Sequence, residues 1–158
     1  MTDIHVVILA AGQGTRMKSR LPKVLHPISG RSLIEQVVRT AKALSPATTT
    51  VIVGHGAELV RESLAGRSDL RFAVQEPQRG TAHALQQAEP VLAGRTGTVV
   101  LLSGDVPLLS PRTLRRLVEL HTAAKAGATV VTAVVERPYG YGRIVRGDGH
   151  ITRIVEER

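Results

Sequence analysis

Short apolar runs alternate along this chain with segments whose apolar residues recur at helical spacing. The β-branched runs predict strands at residues 4–9, 50–53, 70–74, 98–102 and 128–135. The segments between them predict helices over residues 33–44, 57–64 and 81–92, and a fourth from residue 111. This alternation predicts an α/β fold, a Rossmann-like and mostly parallel sheet with helices on both faces.

Local signals set several element boundaries. A Ser-Leu-Ile-Glu sequence at residues 32–35 is a capping box that opens the first helix. Thr81 is predicted to cap the third helix, and the Ser-Pro pair at residues 110–111 to start the fourth. A Gly-Asp-Gly turn predicts a β-hairpin between residues 141–145 and 150–155. The elements together make one domain.

Composition narrows the classes of protein. The chain has 158 residues, a net charge of +8 and no cysteine, which excludes a disulfide framework or thiolate metal site. Aromatic residues make up only 2%, which disfavours nucleic-acid binding by base stacking. No apolar run is long enough to cross a membrane, and Asp3 lies where a secretion signal would be positive. We expect a cytoplasmic protein without membrane or nucleic-acid partners.

The first strand ends in a glycine-rich turn, LAAGQGTRM at residues 9–17. It is not a P-loop, because Thr15 and Arg16 follow Gly14 where that motif has Lys-Ser/Thr. It is a poor dinucleotide fingerprint too, because Met17 takes the place of the third glycine. The pattern fits a phosphate-binding turn, with cations from the basic segment that follows. The alternative is a solvated basic loop.

Asp105 lies in the turn after the apolar fourth strand, behind Ser103 and Gly104. In parallel α/β sheets ligands bind beyond the carboxyl ends of the strands, so this carboxylate and the glycine-rich turn should share one edge. A carboxylate in that position could hold Mg²⁺ beside a bound phosphate. The alternative is a turn in which Asp105 caps its own backbone, helped by Pro107.

Seven segments together carry a family resemblance. They are VVILAAGQGTRM at residues 6–17, LPKVLHPISGRSLIEQVV at 21–38, VIVGHGAE at 51–58, QEPQRGTAHAL at 75–85, LLSGDVPLL at 101–109, YGYGRIVR at 139–146 and IVEE at 154–157. With them the chain resembles the nucleotidyltransferases that make nucleotide sugars, and specifically the uridylyltransferase domain of the bifunctional GlmU type. The resemblance implies Mg²⁺-dependent joining of UTP and N-acetylglucosamine 1-phosphate into UDP-N-acetylglucosamine, a cell-wall precursor, with release of pyrophosphate.

The resemblance also implies roles for individual residues. Arg16 and Lys23 would be catalytic and bind the phosphates, and Asp105 would ligate Mg²⁺. Gly142 and Glu156 would contact the sugar. The nucleotide would be bound by Leu9, Ala10, Ala11, Gly12, Gly14, Thr15, Lys23, Gln75, Gly80, Thr81, Ser103 and Gly104.

The resemblance stops at residue 158, whereas the family's transferase domain continues further. Residues 1–158 therefore correspond to the N-terminal part of that domain. No hexapeptide repeats are present, so we expect neither the β-helix acetyltransferase domain nor the trimer that it forms. Two alternatives stay open: a nucleotide-binding fragment without turnover, and a nucleotidyltransferase acting on another sugar phosphate, the molybdenum cofactor or methylerythritol phosphate.

Overall fold

The computed structural model describes residues 2–14 and 17–156. Most of the predicted strands and helices form, in the predicted order. The elements are β1 (Ile4–Leu9), a 3-10 turn (Lys23–Leu25), β2 (Pro27–Ile28), β3 (Arg31–Ser32), α1 (Leu33–Lys42), β4 (Thr48–Val53), α2 (Ala57–Ser63), β5 (Leu70–Val74), α3 (Thr81–Gln86), α4 (Glu89–Leu92), β6 (Thr98–Ser103), α5 (Pro111–Ala123), β7 (Arg143–Gly147) and β8 (His150–Val155).

The central sheet has four parallel strands in the order β5-β4-β1-β6. The chain runs from β1 outward through β4 to β5, and then returns to place β6 on the other side of β1. A crevice opens where the strand order reverses in this way, beyond the carboxyl ends of β1 and β6. The register there pairs Leu9 with Ser103. The topology therefore places the glycine-rich turn and the turn after β6 side by side.

Helices cover both faces of the sheet, as predicted. Alternate residues of β1 point to opposite faces, which gives two buried clusters. The larger cluster packs against α1, α2 and α5 and includes Val6, Ile8, Ile34, Val60 and Leu114. The smaller one packs against α3 and α4 and includes Val7, Ala11, Ile52, Ala84 and Ala88. None of the helices in residues 2–14 and 17–156 combines the length and apolar character needed to span a membrane.

The capping box of α1 forms as predicted. Ser32 Oγ accepts from Glu35 N at 3.3 Å, and Ser32 N donates to Glu35 Oε2 at 2.9 Å. The Ser32 hydroxyl also donates to that carboxylate, at 2.9 Å. The backbone N–H of Ser32, and then its hydroxyl, lower the pKa of Glu35 below its ordinary value.

A Ser32→Ala variant should lose about 1 kcal/mol of unfolding free energy near neutral pH. Folding lowers the pKa of this carboxylate, so its ionised form adds to the stability of the folded protein. That contribution is complete above the unfolded-state pKa and is lost as the pH falls through the folded-state pKa. The difference between wild type and variant should therefore shrink between about pH 7 and about pH 3. Urea denaturation at the two pH values measures it. An unchanged difference would show that the hydroxyl does not stabilise the ionised carboxylate.

The predicted fifth strand, at residues 128–135, is wrong. This segment has no regular secondary structure and is exposed along its length. β-branched composition favours a strand only where a neighbouring strand supplies hydrogen bonds and a surface to pack against. Among the described residues no strand pairs with this segment, and His121 Nδ1 contacts it through Thr129 Oγ1 at 3.0 Å.

Two helix predictions also need correction. The helix predicted over residues 81–92 is divided into α3 and α4, with Pro90 in the first turn of α4. Proline lacks the N–H that a continuous helix needs at this point, so a new helix starts there instead. Thr81 is the first residue of α3, and its N-cap is Gly80, which has a φ of 90°. The predicted hairpin forms as β7 and β8, although its first strand begins at Arg143.

Candidate active site

A cleft of about 590 Å³ lies at the carboxyl edge of the sheet. Its walls come from the three segments that follow β1, β5 and β6. Of the predicted site residues, the cleft is lined by Leu9, Ala10, Ala11, Gly12, Gly14, Lys23, Gln75, Gly80, Thr81, Ser103 and Asp105. Residues far apart in the sequence are thus brought into one cavity, of a size suited to a small-molecule ligand.

Gly104 supports the floor of the cleft and is not one of its lining residues. Its N–H donates to Leu9 O at 2.8 Å, which extends the β1–β6 ladder by one bond. A Cβ at this position would lie 2.9 Å from Leu9 O and 3.1 Å from Ile34 Cδ1. Only glycine therefore lets the two strand ends approach so closely.

The glycine-rich turn presents bare main chain to the cleft. A Cβ on Gly12 would meet no atom of the described residues within 4 Å, so there is open space beside the backbone at this position. Gly14 has a φ of +63°, and a Cβ there would lie 2.7 Å from Lys23 Cβ. Gly14 thus allows the turn to pack directly against the segment that carries Lys23.

We expect Gly14→Ala and Gly12→Ala to act differently. A Gly14→Ala variant should lose about 1–3 kcal/mol of unfolding free energy, since alanine is strained at this φ and overlaps Lys23. A Gly12→Ala variant should keep its stability but bind nucleotide more weakly, because the new methyl group narrows the cleft. Urea denaturation and calorimetric titration with UTP separate the two effects. Equal stability losses in both variants would contradict this account of the turn.

Lys23 and Asp105 form an ion pair across the mouth of the cleft. The Nζ to Oδ2 distance is 2.7 Å, and the side chains are 42% and 33% exposed. The 3-10 turn positions Lys23, and the end of β6 positions Asp105. An ion pair as exposed as this one contributes at most about 1 kcal/mol to stability. Its position beside bare main chain is better suited to binding anions and a cation than to holding the fold together.

Asp105 fits a magnesium site that is completed by substrate. Among the residues that the structure describes, no group of three or more His, Asp or Glu side chains could enclose a metal ion. Mg²⁺ commonly binds through one or two carboxylates together with phosphate oxygens and water. One accessible carboxylate on the wall of this cleft is consistent with that mode. Lys23 already neutralises Asp105, so the carboxylate can be stable at the cleft before any cation arrives.

Gln75 is fixed at the end of β5. It is 4% exposed, and its backbone N–H donates to Val53 O at 2.8 Å. Its side-chain Nε2 donates to Gly80 O at 2.9 Å and lies 3.2 Å from His83 Nδ1. No local pattern in the sequence predicts the contact between His83 and Gln75. The contact could have been suspected because His83 lies in the first turn of α3, which starts beside the cleft.

The two predicted sugar-binding residues are brought together, but away from the cleft lining. A Cβ on Gly142 would lie 3.3 Å from Glu156 Oε1, so the glycine leaves room for that carboxylate. The pairing of Arg143 with Val155 in the hairpin brings Gly142 and Glu156 side by side. Neither of them lines the cleft. Their contact with a sugar stays a prediction.

Thr15 and Arg16 lie outside the described residues, so their predicted roles stay predictions. Four other residues line the cleft although the sequence did not mark them: Met17, Val24, Gln78 and Ala84. Gln78 lies within the segment after β5 that was singled out, and a Cβ on Gly54 would be 2.9 Å from its Nε2. The position of Ala84 on α3, one turn after Thr81, is the kind of signal that could have revealed it.

Comparisons with known proteins relate this chain to nucleotidyltransferases. Residues 6–149 match the MobA-like NTP transferase domain. The bifunctional protein GlmU of Brevibacillus brevis is 52% identical over 159 residues, covering all of this chain and 34% of that protein. The chain thus spans about a third of the length of the curated GlmU proteins that it matches, and corresponds to their N-terminal part.

Two solved structures extend the comparison. Rv0371c from Mycobacterium tuberculosis, in complex with manganese, is 28% identical with a TM-score of 0.65, covering 77% of this chain and 61% of that one. A UDP-glucose pyrophosphorylase complexed with UDP-glucose is 19% identical with a TM-score of 0.75, covering 100% of this chain and 70% of that one, and this likeness shows the fold. With the match over residues 6–149, these findings show that the chain belongs to the MobA-like NTP transferase domain family of nucleotidyltransferases.

Proposed function

We propose that the chain carries the site of a uridylyltransferase that joins UTP and N-acetylglucosamine 1-phosphate, releasing pyrophosphate. The observation that carries this proposal is the cleft in which Lys23 and Asp105 meet beside bare main chain. The GlmU relatives support the choice of substrates, because their similarity to this chain runs along its whole length.

The chemistry requires positioning and charge and no protein nucleophile. A phosphate oxygen of the sugar phosphate attacks the α-phosphorus of UTP, and the bond from that phosphorus to the bridging oxygen breaks as pyrophosphate leaves. Both substrates are anions, so their mutual repulsion and poor alignment are the main obstacles. Lys23 would bind phosphate oxygens and stabilise the negative charge that moves onto the leaving pyrophosphate. Arg16 is proposed to do the same from the glycine-rich turn.

Asp105 is proposed to hold Mg²⁺ at the cleft. When bound, the metal ion supplies charge neutralisation at the phosphates. The manganese complex of Rv0371c supports a divalent cation in this family. The main chain of the glycine-rich turn would approach the nucleotide closely, because Gly12 carries no side chain. Gly142 and Glu156 would bind the sugar from the hairpin.

Measurement of pyrophosphate release tests the proposal directly. The chain is incubated with UTP, N-acetylglucosamine 1-phosphate and Mg²⁺, and parallel reactions replace the sugar by glucose 1-phosphate, omit the acceptor, or add EDTA. We expect release that requires both the N-acetylated acceptor and the metal. Equal release with glucose 1-phosphate would assign a different acceptor. UTP binding without any release would reject turnover by this chain.

A nucleotide-binding fragment without turnover is the second candidate. It is favoured by one observation: Gly142 and Glu156 lie beside each other but do not line the cleft. In this case UTP would bind to the cleft while the acceptor is held too weakly to react. Calorimetric titration of UTP, followed by N-acetylglucosamine 1-phosphate, distinguishes the two functions, since only the first predicts saturable binding of the sugar phosphate.

A further inference from the structure

The side-chain amide of Gln75 has only one possible orientation in the cleft wall. Gly80 O is a backbone carbonyl, which can only accept a hydrogen bond. The Gln75 atom 2.9 Å from it must therefore be the NH₂ nitrogen and not the oxygen. The same nitrogen lies 3.2 Å from His83 Nδ1, so its second hydrogen points at the imidazole ring.

This geometry also fixes the tautomer of His83. An NH₂ group that already donates to Gly80 O cannot accept from the ring, so His83 Nδ1 must accept and carry no proton. The neutral ring then has its proton on Nε2. Both N–H groups of Gln75 are thereby used within the protein. Within residues 2–14 and 17–156 no group donates to its Oε1, which is therefore available as an acceptor on a residue that lines the cleft.

We propose that His83 is a positioning residue that holds Gln75 Oε1 toward the cleft, and that this arrangement selects nucleobases with a ring N–H donor. Uracil presents such a donor at N3, whereas the N3 of cytosine has a lone pair that would face the lone pairs of Oε1. A site arranged to accept from a base N–H discriminates against a base without one, because the buried acceptor is then left unpaired. The inference rests on the proposed function for the presence of a nucleotide in the cleft.

Discrimination between uracil and cytosine would depend on the two contacts that orient the Gln75 amide, those with Gly80 O and His83 Nδ1. Gln75 is nearly fully buried, so its amide cannot turn toward solvent. If His83 Nδ1 no longer accepts, Gly80 O is the one hydrogen-bond partner that the amide keeps among the described residues. The backbone of His83 is held separately, because Gln87 Nε2 donates to His83 O at 2.9 Å. A substitution of the ring should therefore affect the Gln75 amide without displacing α3.

Binding of UTP and CTP with Mg²⁺ to the full chain tests the proposal. The ratio of their dissociation constants should favour UTP in the wild type and fall by about 3- to 10-fold in a His83→Phe variant, the worth of one hydrogen bond. A His83→Asn variant should restore the ratio, because its Oδ1 can accept where Nδ1 does. His121→Phe is the matched control, since His121 lies on α5, contacts Thr129 and does not line the cleft.

An unchanged ratio in His83→Phe, or a wild type that does not prefer UTP, would overturn the proposal. If His83→Phe does not fold, His83→Leu replaces it in the comparison with His83→Asn. Long-range ¹H–¹⁵N spectra of the free chain give a second readout, in which His83 should carry its proton on Nε2; a proton on Nδ1 overturns the inference. Since both readouts use binding or the free chain, absence of pyrophosphate release would reject the proposed function and leave the role of His83 standing.

Discussion

An Asp105→Asn variant should turn over about 10²–10³-fold more slowly than the wild type while folding normally. The substitution keeps the shape of the side chain but removes the negative charge that would hold the metal ion beside the phosphates. Loss of one well-placed charged or donor group in a transition state costs about 3–4 kcal/mol, which gives this factor. The unfolding free energy should change by less than about 1 kcal/mol, because the Lys23–Asp105 pair is partly exposed.

Steady-state pyrophosphate release over a range of Mg²⁺ concentrations measures the effect, with urea denaturation for stability. Asp69→Asn is the matched control. Asp69 pairs with Lys42 at 2.9 Å with comparable exposure, but near the opposite, amino ends of β4 and β5. Asp69→Asn should leave turnover unchanged. If the two variants lose activity equally, or if excess Mg²⁺ is without effect on both wild type and Asp105→Asn, Asp105 does not act through a metal ion.

A Lys23→Met variant should lower kcat by about 10²-fold with a smaller rise in KM. Methionine keeps most of the length of the side chain and removes its charge. Charge shifts onto the leaving pyrophosphate as the reaction proceeds, so a cation beside it stabilises the transition state more than the bound substrates. A variant that raised KM alone would show that Lys23 binds substrate and transition state equally.

Lys42→Met controls for loss of a partly exposed lysine, and the double variant tests whether Lys23 and Asp105 act together. Lys42 lies in a pair of similar length and exposure away from the cleft, so its removal should not affect kcat. Because Lys23 and Asp105 are in contact, the effects of Lys23→Met and Asp105→Asn should not add. Strict additivity would mean that the two side chains contribute independently.

The sequence predicted the sheet and its carboxyl edge because these depend on local patterns. The capping box at Ser32 forms from residues three apart, and the apolar run of β1 is buried in the middle of the sheet. The edge strand β6 buries only one face, with Val100 and Leu102 buried and Val99 and Leu101 exposed. Where strands and helices alternate, the connections favour parallel strands, and the carboxyl ends of parallel strands lie at the same edge of the sheet. The convergence of the glycine-rich turn with Asp105 follows from that rule.

The features that were missed depend on partners distant in sequence. The apolar segment at residues 128–135 has strand composition, but composition does not supply a neighbouring strand. Lys23 and Asp105 were each assigned to the site, yet their direct contact joins residues 82 positions apart. The link between His83 and Gln75 depends on how α3 packs at the end of β5, which no local pattern specifies.

A crystal structure of the chain with UTP and Mn²⁺ tests the central claim most directly, since Mn²⁺ can be located by its anomalous scattering. We predict the triphosphate in the cleft against the main chain of Gly12, the metal on the carboxylate of Asp105, and Lys23 Nζ within hydrogen-bond distance of a phosphate oxygen. A nucleotide bound elsewhere, or a metal held away from Asp105 with the Lys23–Asp105 pair unchanged, would contradict the account.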